Sequence, residues 1–400
     1  MVPMRGKESH GEDLHGVRRG RDGGGLGEVL VMDRVLCRRS TYDWTVVREV
    51  VRDCLDRLGG GEIAAGSRVL VKPNLLGPAA PDRAMLTHPL VVRAVAEYAL
   101  DRGAKVLVAD SQAMGSFERI LKENGLWEAL DGLKVECREF RNSVRVDVGE
   151  PFGKIELAED AVHADVIVNV PKLKTHSQML LTLAVKNLFG CVVGLRKPQW
   201  HLRAGVDRER FAALLVRICA TLKPAFNILD GVLAMEGPGP GKGGIPRHIG
   251  VVMAARDPFA LDASVCRMLG LPPEELFTHA VAIKAGLVDG ALEIDGDPPV
   301  VQGFQFPEMA STLFGPKALH AFMRRNLIQR PVIDDEACKA CRDCAKYCPA
   351  EAITFDGKEG RFDYDKCIRC YCCLEVCPYG AMRAEEPRLG RIFSRIIKRK

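Results

Sequence analysis

Nine of the 15 cysteines fall between Cys338 and Cys377, and eight of them repeat one spacing. The first run is Cys338-x2-Cys341-x2-Cys344-x3-Cys348-Pro349. The second, 29 residues on, is Cys367-x2-Cys370-x2-Cys373-x3-Cys377-Pro378. Thiolates are soft ligands, so this density points to metal–sulfur chemistry. Zinc ribbons pair Cys-x2-Cys knuckles across longer loops. Three cysteines at successive two-residue gaps, twice over and each run closed by Cys-Pro, fit zinc poorly. Cys372 stands outside the pattern and reads as a thiol that ligates nothing. Cys37, Cys54, Cys137, Cys191, Cys219 and Cys266 lie mostly in apolar segments and read as core residues.

A second set of residues is cationic. Lys72, Lys172, Lys174 and Lys186 recur at the ends of apolar runs or in the turns after them, with His88 and His176. Each lysine alone reads as a solvated side chain. As a group they suit an anion, because a cation buried without one is costly. A small carboxylate or phosphate would be held by charge-assisted hydrogen bonds. The expected catalytic set is Lys72, His88, Lys172, Lys174 and His176, the histidines acting as proton donors near neutral pH. Asn74, Lys186 and Asn187 are the expected substrate-binding residues, with Gly237 and Gly239 of the loop Gly237–Gly244. That loop lacks the Lys-Ser/Thr ending of a phosphate loop, and reads as a lid, an anion nest or a plain turn. A metal at His88, His176 and Glu236 or Asp110 has no supporting spacing. Trp200-His201 reads as loop packing.

These residues need a scaffold. Strands are expected at Arg68–Lys72, Lys105–Asp110, Asp165–Val170, Phe226–Asp230 and Ile249–Ala254, several of them near-continuous apolar runs that suit strands covered on both faces. Helices are expected between them, at Thr45–Leu58, Pro89–Arg102, Phe117–Ala129, Arg208–Thr221 and Pro258–Leu269. Asp257 is the expected cap of the last. Alternating strand and helix argue an α/β fold with a mostly parallel sheet. The polar signatures follow strands, where such folds bind ligands. A first strand is expected at Glu28–Met32, after a flexible polar tail at 1–27. The α/β domain should then run over 28–290, a connector over 291–331 with a helix around Pro316–Leu327, and the cysteine module over 332–385. Residues 386–400 form a basic amphipathic tail, more suited to packing on protein than on a membrane surface.

With 400 residues, two or three domains are expected. A net charge of +5 and 6% aromatics argue against nucleic acid. No apolar run reaches the ~18–20 residues of a membrane span, and the first residues lack the apolar stretch of a secretory signal. Clustered cysteines in such a chain suit a reducing, cytoplasmic setting.

The cysteine runs resemble those of bacterial ferredoxins, in which the fourth cysteine of each run serves the other cluster. The resemblance implies two [4Fe-4S] clusters. One would be held by Cys338, Cys341, Cys344 and Cys377, the other by Cys367, Cys370, Cys373 and Cys348. Upstream, VLVKPNLL at 69–76, Thr87-His88-Pro89, VNVPKLKTH at 168–176, AVKNLFGCVVG at 184–194, MEGPGP at 235–240 and DPFALDA at 257–263 resemble the domain of unknown function 362 family. Many of its members carry a C-terminal two-cluster ferredoxin module. That resemblance implies an architecture, an α/β domain joined to a ferredoxin-like α+β domain, rather than a reaction.

Three functions remain open on the sequence. The first is a redox enzyme passing electrons between the clusters, a protein donor or acceptor, and a small anionic substrate in the basic cleft. The second is an electron-transfer or docking subunit of a larger redox complex, without substrate chemistry of its own. The third is a nonredox domain with structural clusters. No G-x-G-x-x-G follows the first strand, so no nicotinamide or flavin is indicated.

Overall fold

The computed structural model describes residues 33–194, 196–205, 207–288, 292–307, 322, 326–387 and 389. The expected tail at 1–27 and the strand at Glu28–Met32 lie outside these residues. So do the connector helix around Pro316–Leu327, except for 322, 326 and 327, and the basic tail beyond 387, except for Leu389.

The chain opens with β1 (Asp33–Arg39) and α1 (Trp44–Arg57), and continues through β2 (Arg68–Pro73), α2 (Pro89–Asp101) and β3 (Lys105–Asp110). The expected helix at 117–129 is two, α3 (Phe117–Asn124) and α4 (Leu126–Leu130). Gly125 separates them at φ 74°, a left-handed conformation that ends the first helix. Then come β4 (Val135–Glu139), the hairpin β5 (Ser143–Asp147) and β6 (Lys154–Ala158), α5 (Glu159–Val162), β7 (Val166–Val170), β8 (Lys172–His176) and β9 (Leu180–Thr182). The helices α6 (Ala184–Asn187), α7 (Arg196–Ala204) and α8 (Arg208–Leu222) lead to two long strands, β10 (Phe226–Glu236) and β11 (Ile245–Ala255). α9 (Pro258–Met268), α10 (Phe277–Lys284) and β12 (Leu292–Asp295) complete the domain.

Ten strands form one sheet with the spine β12-β1-β11-β10-β7-β2-β3-β4, and β8 and β9 attach beside β10. The run from β10 to β4 is parallel throughout, and β11 enters antiparallel between β10 and β1. The sheet is therefore mostly parallel, as expected. β12 pairs with β1, so the α/β domain extends past residue 290 into the segment read as connector.

Period-two alternation supplies two buried layers. Val69, Val71, Val106, Val108, Val166 and Val168 face α1 and α2, while Leu70, Ala109 and Ile167 face α8. On α2 the buried positions include Val91, Val92, Val95 and Ala96, one stripe at helical spacing. Both faces of the sheet are covered, which is why its central strands read as apolar runs.

β7 ends at Val170, and after Pro171 the chain continues as β8 along the second half of β10, pairing Lys172 with Asp230 and Lys174 with Met235. This places Lys172, Lys174 and His176, at alternate positions of β8, at the carboxyl edge of the sheet. β2 leads on to β3 on one side, whereas its other neighbour β7 leads on toward β10, so the connections leaving the β2–β7 pair run in opposite directions. That edge is a topological switch point, where open α/β sheets bind ligands.

The cysteine module is built twice. β13 (Arg330–Ile333) pairs with β16 (Met382–Glu385), and β14 (Ile353–Asp356) with β15 (Glu359–Phe362). Shifting the first half by 29 residues maps Arg330–Ile333 onto Glu359–Phe362 and Ile353–Asp356 onto Met382–Glu385. Asp334 and Asp363 take the same turn, each accepting two backbone N–H groups. Short helices, Asp343–Lys346 and Cys372–Val376, follow the two ligand loops.

Candidate functional site

The four expected lysines are not equivalent. Lys72 Nζ lies 2.8 Å from Asp110 Oδ1, and Lys172 Nζ 2.7 Å from Asp230 Oδ2, all four side chains being buried. Gly190 lies over the first pair, where a Cβ would stand 2.2 Å from Asp110 Oδ1 and 2.5 Å from Lys72 Nζ. Tyr42 Oη donates to Asp230 Oδ1 at 2.8 Å, and its ring stacks on His88 at 3.5 Å. His88 caps α2: its Nδ1 accepts the Leu90 N–H, and its own N–H donates to Asp230 Oδ2. Lys72, Lys172 and His88 thus form two buried ion-pair networks beneath the sheet edge.

Lys174 is buried without a carboxylate. Its Nζ donates to Asn74 Oδ1 and to the Met85 carbonyl, each at 2.7 Å. Asn74 Nδ2 then donates to Asn187 Oδ1, Asn187 Nδ2 to Asn169 Oδ1, Asn169 Nδ2 to Asn227 Oδ1, and Asn227 Nδ2 to the Arg256 carbonyl. This directional amide chain crosses the sheet from β2 to β10 and fixes where the Lys174 amine sits. Asn74 and Asn187 each commit an amide donor and acceptor to it. Burial, reinforced by the nearby Lys186 charge, brings the Lys174 amine down to about 7.

Around Lys174 lies a half-open cavity of about 100 Å³. Of the expected residues, Asn74, Lys174, His176, Lys186 and Asn187 line it. Lys72, His88, Lys172, Gly237 and Gly239 do not, although Asp110, the partner of Lys72, does. Gly239 supports the wall instead. A Cβ there would come within 2.5 Å of the Thr175 carbonyl, and the Gly239 carbonyl accepts from the N–H and Oγ of Ser177.

Sequence reasoning missed Lys197 and His201 of α7, Thr182 of β9, and Cys372 and Glu375 from the cysteine module, all of which line the cavity. Lys197 donates to the Ser111 carbonyl, and burial brings its amine down to about 8. Asp262 of α9 accepts the N–H groups of Ala184 and Val185 at 2.8 and 3.2 Å, which caps α6 and places Lys186. Asp257 caps α9 as expected, accepting the Ala260 N–H.

His176 Nδ1 accepts from the N–H groups of Gln178 and Met179, so in the neutral ring Nε2 carries the hydrogen. That Nε2 faces Glu375 Oε1 at 2.9 Å. Burial pushes His176 down to about 4 and His201 to about 3, so both are neutral near pH 7; against its own burial, the hydrogen bond from His176 and the Lys186 charge hold the Glu375 carboxyl down at about 2. Thr182 Oγ1 and His201 Nδ1 are buried on this cavity without a hydrogen-bond partner among the described residues, while His176 Nε2 and Glu375 Oε1 have only each other. Among the described residues Lys186 makes no hydrogen bond or ion pair. Buried polar atoms are rarely left so, and here they converge with three lysines. Among the described residues no three His, Cys, Asp or Glu side chains could hold a single metal ion.

The eight thiols of the module gather in two groups of four. Cys344 lies within electrostatic reach of Cys338, Cys341 and Cys377, and Cys348 within reach of Cys367 and Cys370. A small cavity is lined by Cys348, Cys367, Cys370 and Cys373 together. Backbone N–H groups point at sulfur, from Ala352 to Cys348 at 3.3 Å and from Ala381 to Cys377 at 3.2 Å, as donors around iron–sulfur centres do. The left-handed residues repeat as well: Ala340, Arg342 and Glu351 recur as Arg369, Tyr371 and Gly380. Five of these six carry a Cβ at positive φ, a conformation that persists where function over-determines the backbone.

Comparison with known proteins agrees. Residues 69–267 match the model of the domain of unknown function DUF362, and residues 330–378 that of a 4Fe-4S dicluster domain. The thylakoid-associated protein sll1697 of Synechocystis is 39% identical over 267 residues, covering 66% of this chain and 83% of that protein. The pyruvate synthase subunit PorD of Methanocaldococcus jannaschii is 42% identical over 55 residues, covering 13% of this chain and 63% of that subunit. Among solved structures, the lactate racemase apoprotein of Thermoanaerobacterium thermosaccharolyticum aligns at a TM-score of 0.40 and 12% identity, over 61% of this chain and 58% of that one.

Proposed function

The chain belongs to the DUF362 family and carries a 4Fe-4S dicluster domain with an electron-transfer role, and from that premise we propose that it exchanges electrons with a small anionic substrate held in the cavity around Lys174. One observation carries the reading: a cation-lined cavity with unpartnered polar atoms has the Cys372–Val376 helix of the cluster-binding module as part of its wall. The bound cubes supply electrons one at a time. The protein does the rest. Lys174, Lys186 and Lys197 attract and orient the anion, and the Asn74–Asn187 amide chain holds Lys174 in register. His176, neutral near pH 7, turns its Nε2 hydrogen to Glu375 on the same wall and so orients that carboxylate, rather than supplying the proton expected of it from the sequence. Lys72, Lys172 and His88 shape the edge from below through their ion-pair networks.

An electron-transfer subunit with no substrate of its own would not need a lysine buried without a counter-ion, so the enzyme reading is preferred. The test is anaerobic. Protein purified without oxygen should contain about eight irons per chain, the content of two cubes. A screen of small carboxylates and oxyanions should find at least one that raises the melting temperature, an effect lost in Lys174→Met with the iron content unchanged. One or two zinc atoms, or stabilisation identical in the variant, would overturn the assignment.

A further inference from the structure

The two halves of the cysteine module share a backbone plan but not their surroundings. In the first half Cys341 is exposed, and Asp343 follows it two residues later. Their equivalents 29 residues on are Cys370 and Cys372, both buried. Four module residues line the cavity around Lys174: Tyr347, Cys372, Glu375 and Val376. Of these, Cys372 alone also lines the small cavity bounded by Cys348, Cys367, Cys370 and Cys373. Tyr347 adjoins Cys348 in sequence, which adds a second covalent approach to the same four thiols. Toward the other four, the sequence neighbour is Val376 beside Cys377.

We propose that electrons pass between the cavity and the outside in a fixed order. The Cys348, Cys367, Cys370 and Cys373 site is proximal and coupled to the cavity through Cys372, and the Cys338, Cys341, Cys344 and Cys377 site is distal and meets its partner at exposed Cys341. This rests on the reading that the cavity takes the substrate. In the reducing direction the proximal site loses one electron as the substrate gains one. The distal site restores it and is itself re-reduced by an external one-electron donor; the oxidising direction runs the same order backwards. Cys372 is a positioning residue here, a thiol in the slot where the distal half has an aspartate.

The test uses the full chain with clusters in place, reduced with dithionite and read by electron paramagnetic resonance. Cys341→Ser identifies the distal signal, by altering or removing it. A soluble gadolinium chelate should then speed the relaxation of that signal and spare the other. Equal relaxation of both, or of the other signal alone, overturns the order. Acetate, pyruvate and phosphate are added in turn, with binding measured by calorimetry. A bound anion should shift the proximal signal in the wild type, and Cys372→Ala should lose that shift while keeping both signals. An anion that binds and shifts only the distal signal, or neither, overturns the coupling. If none of the three binds, the substrate class fails and the chelate arm still decides the order.

Discussion

Lys72 and Lys172 look alike in sequence to Lys174, each being a lysine just after or within an apolar strand. The difference is a partner contributed from elsewhere: Asp110 from β3 and Asp230 from β10, and for Lys174 only an amide and a carbonyl. Removing one member of a buried ion pair leaves an uncompensated charge, so Asp230→Ala should destabilise by about 3–5 kcal/mol. Lys174→Met strands no carboxylate but leaves the Asn74 and Met85 acceptors unmet, and should cost about 1–3 kcal/mol, less than Asp230→Ala. Denaturant melts of the two variants measure both, and a Lys174→Met protein as unstable as Asp230→Ala would contradict the assignment. The Lys174 amine, brought down to about 7, and the Lys197 amine, at about 8, give a signed pH dependence. Each is cationic below its value and neutral above it. Anion affinity should therefore be full below about pH 6 and fall as pH rises through 7 and 8, steepening where both amines lose protons. Calorimetric titrations at pH 6 and pH 9 check it, and equal affinities would count against lysine-based recognition. Lys174, His176 and Lys186 were legible in the sequence as chemistry. The neutralisation of Lys72 and Lys172 was not, because a strand-end lysine carries no local mark of which carboxylate the next strand will bring.

At the scale of elements, the sheet does the positioning. β2, β3 and β7 were readable because strands buried on both faces are written as unbroken apolar runs. β8 was not, since Lys-Leu-Lys-Thr-His lacks that pattern; it is a strand because β10 runs past the end of β7 and offers a free edge. β12 was hidden in the connector for the same reason, its pairing with β1 being decided some 260 residues away. The glycine loop after β10 is a wall held against β8, with Gly239 pressed on the Thr175 carbonyl. Gly239→Ala should cost about 1–3 kcal/mol by overpacking and displace Pro240, which lines the cavity. A melt and an anion titration on that variant, giving wild-type values for both, would show that the loop is not part of the wall.

On the scale of the whole molecule, the account joins two modules that the sequence presents as separate. The repeat of two cysteine runs was plain from spacing, and the structure adds that backbone strain, turn-forming aspartates and paired strands repeat with it. What spacing could not show is that Glu375, inside the second run, stands opposite His176 from 199 positions earlier in the chain. Contacts of that range are set by packing, so no local motif announces them. Among the described residues no helix is long and apolar enough to cross a membrane. The central claim is that the anion in the Lys174 cavity and the module's electrons belong to one reaction. Its most direct measurement is the rate at which the anion that stabilises the protein reoxidises the reduced clusters, followed optically without oxygen in the wild type and in Lys174→Met at equal iron content. The account predicts rapid reoxidation in the wild type and a loss of at least about 100-fold in the variant, the scale of one lost transition-state contact. Equal rates in the two proteins would contradict it.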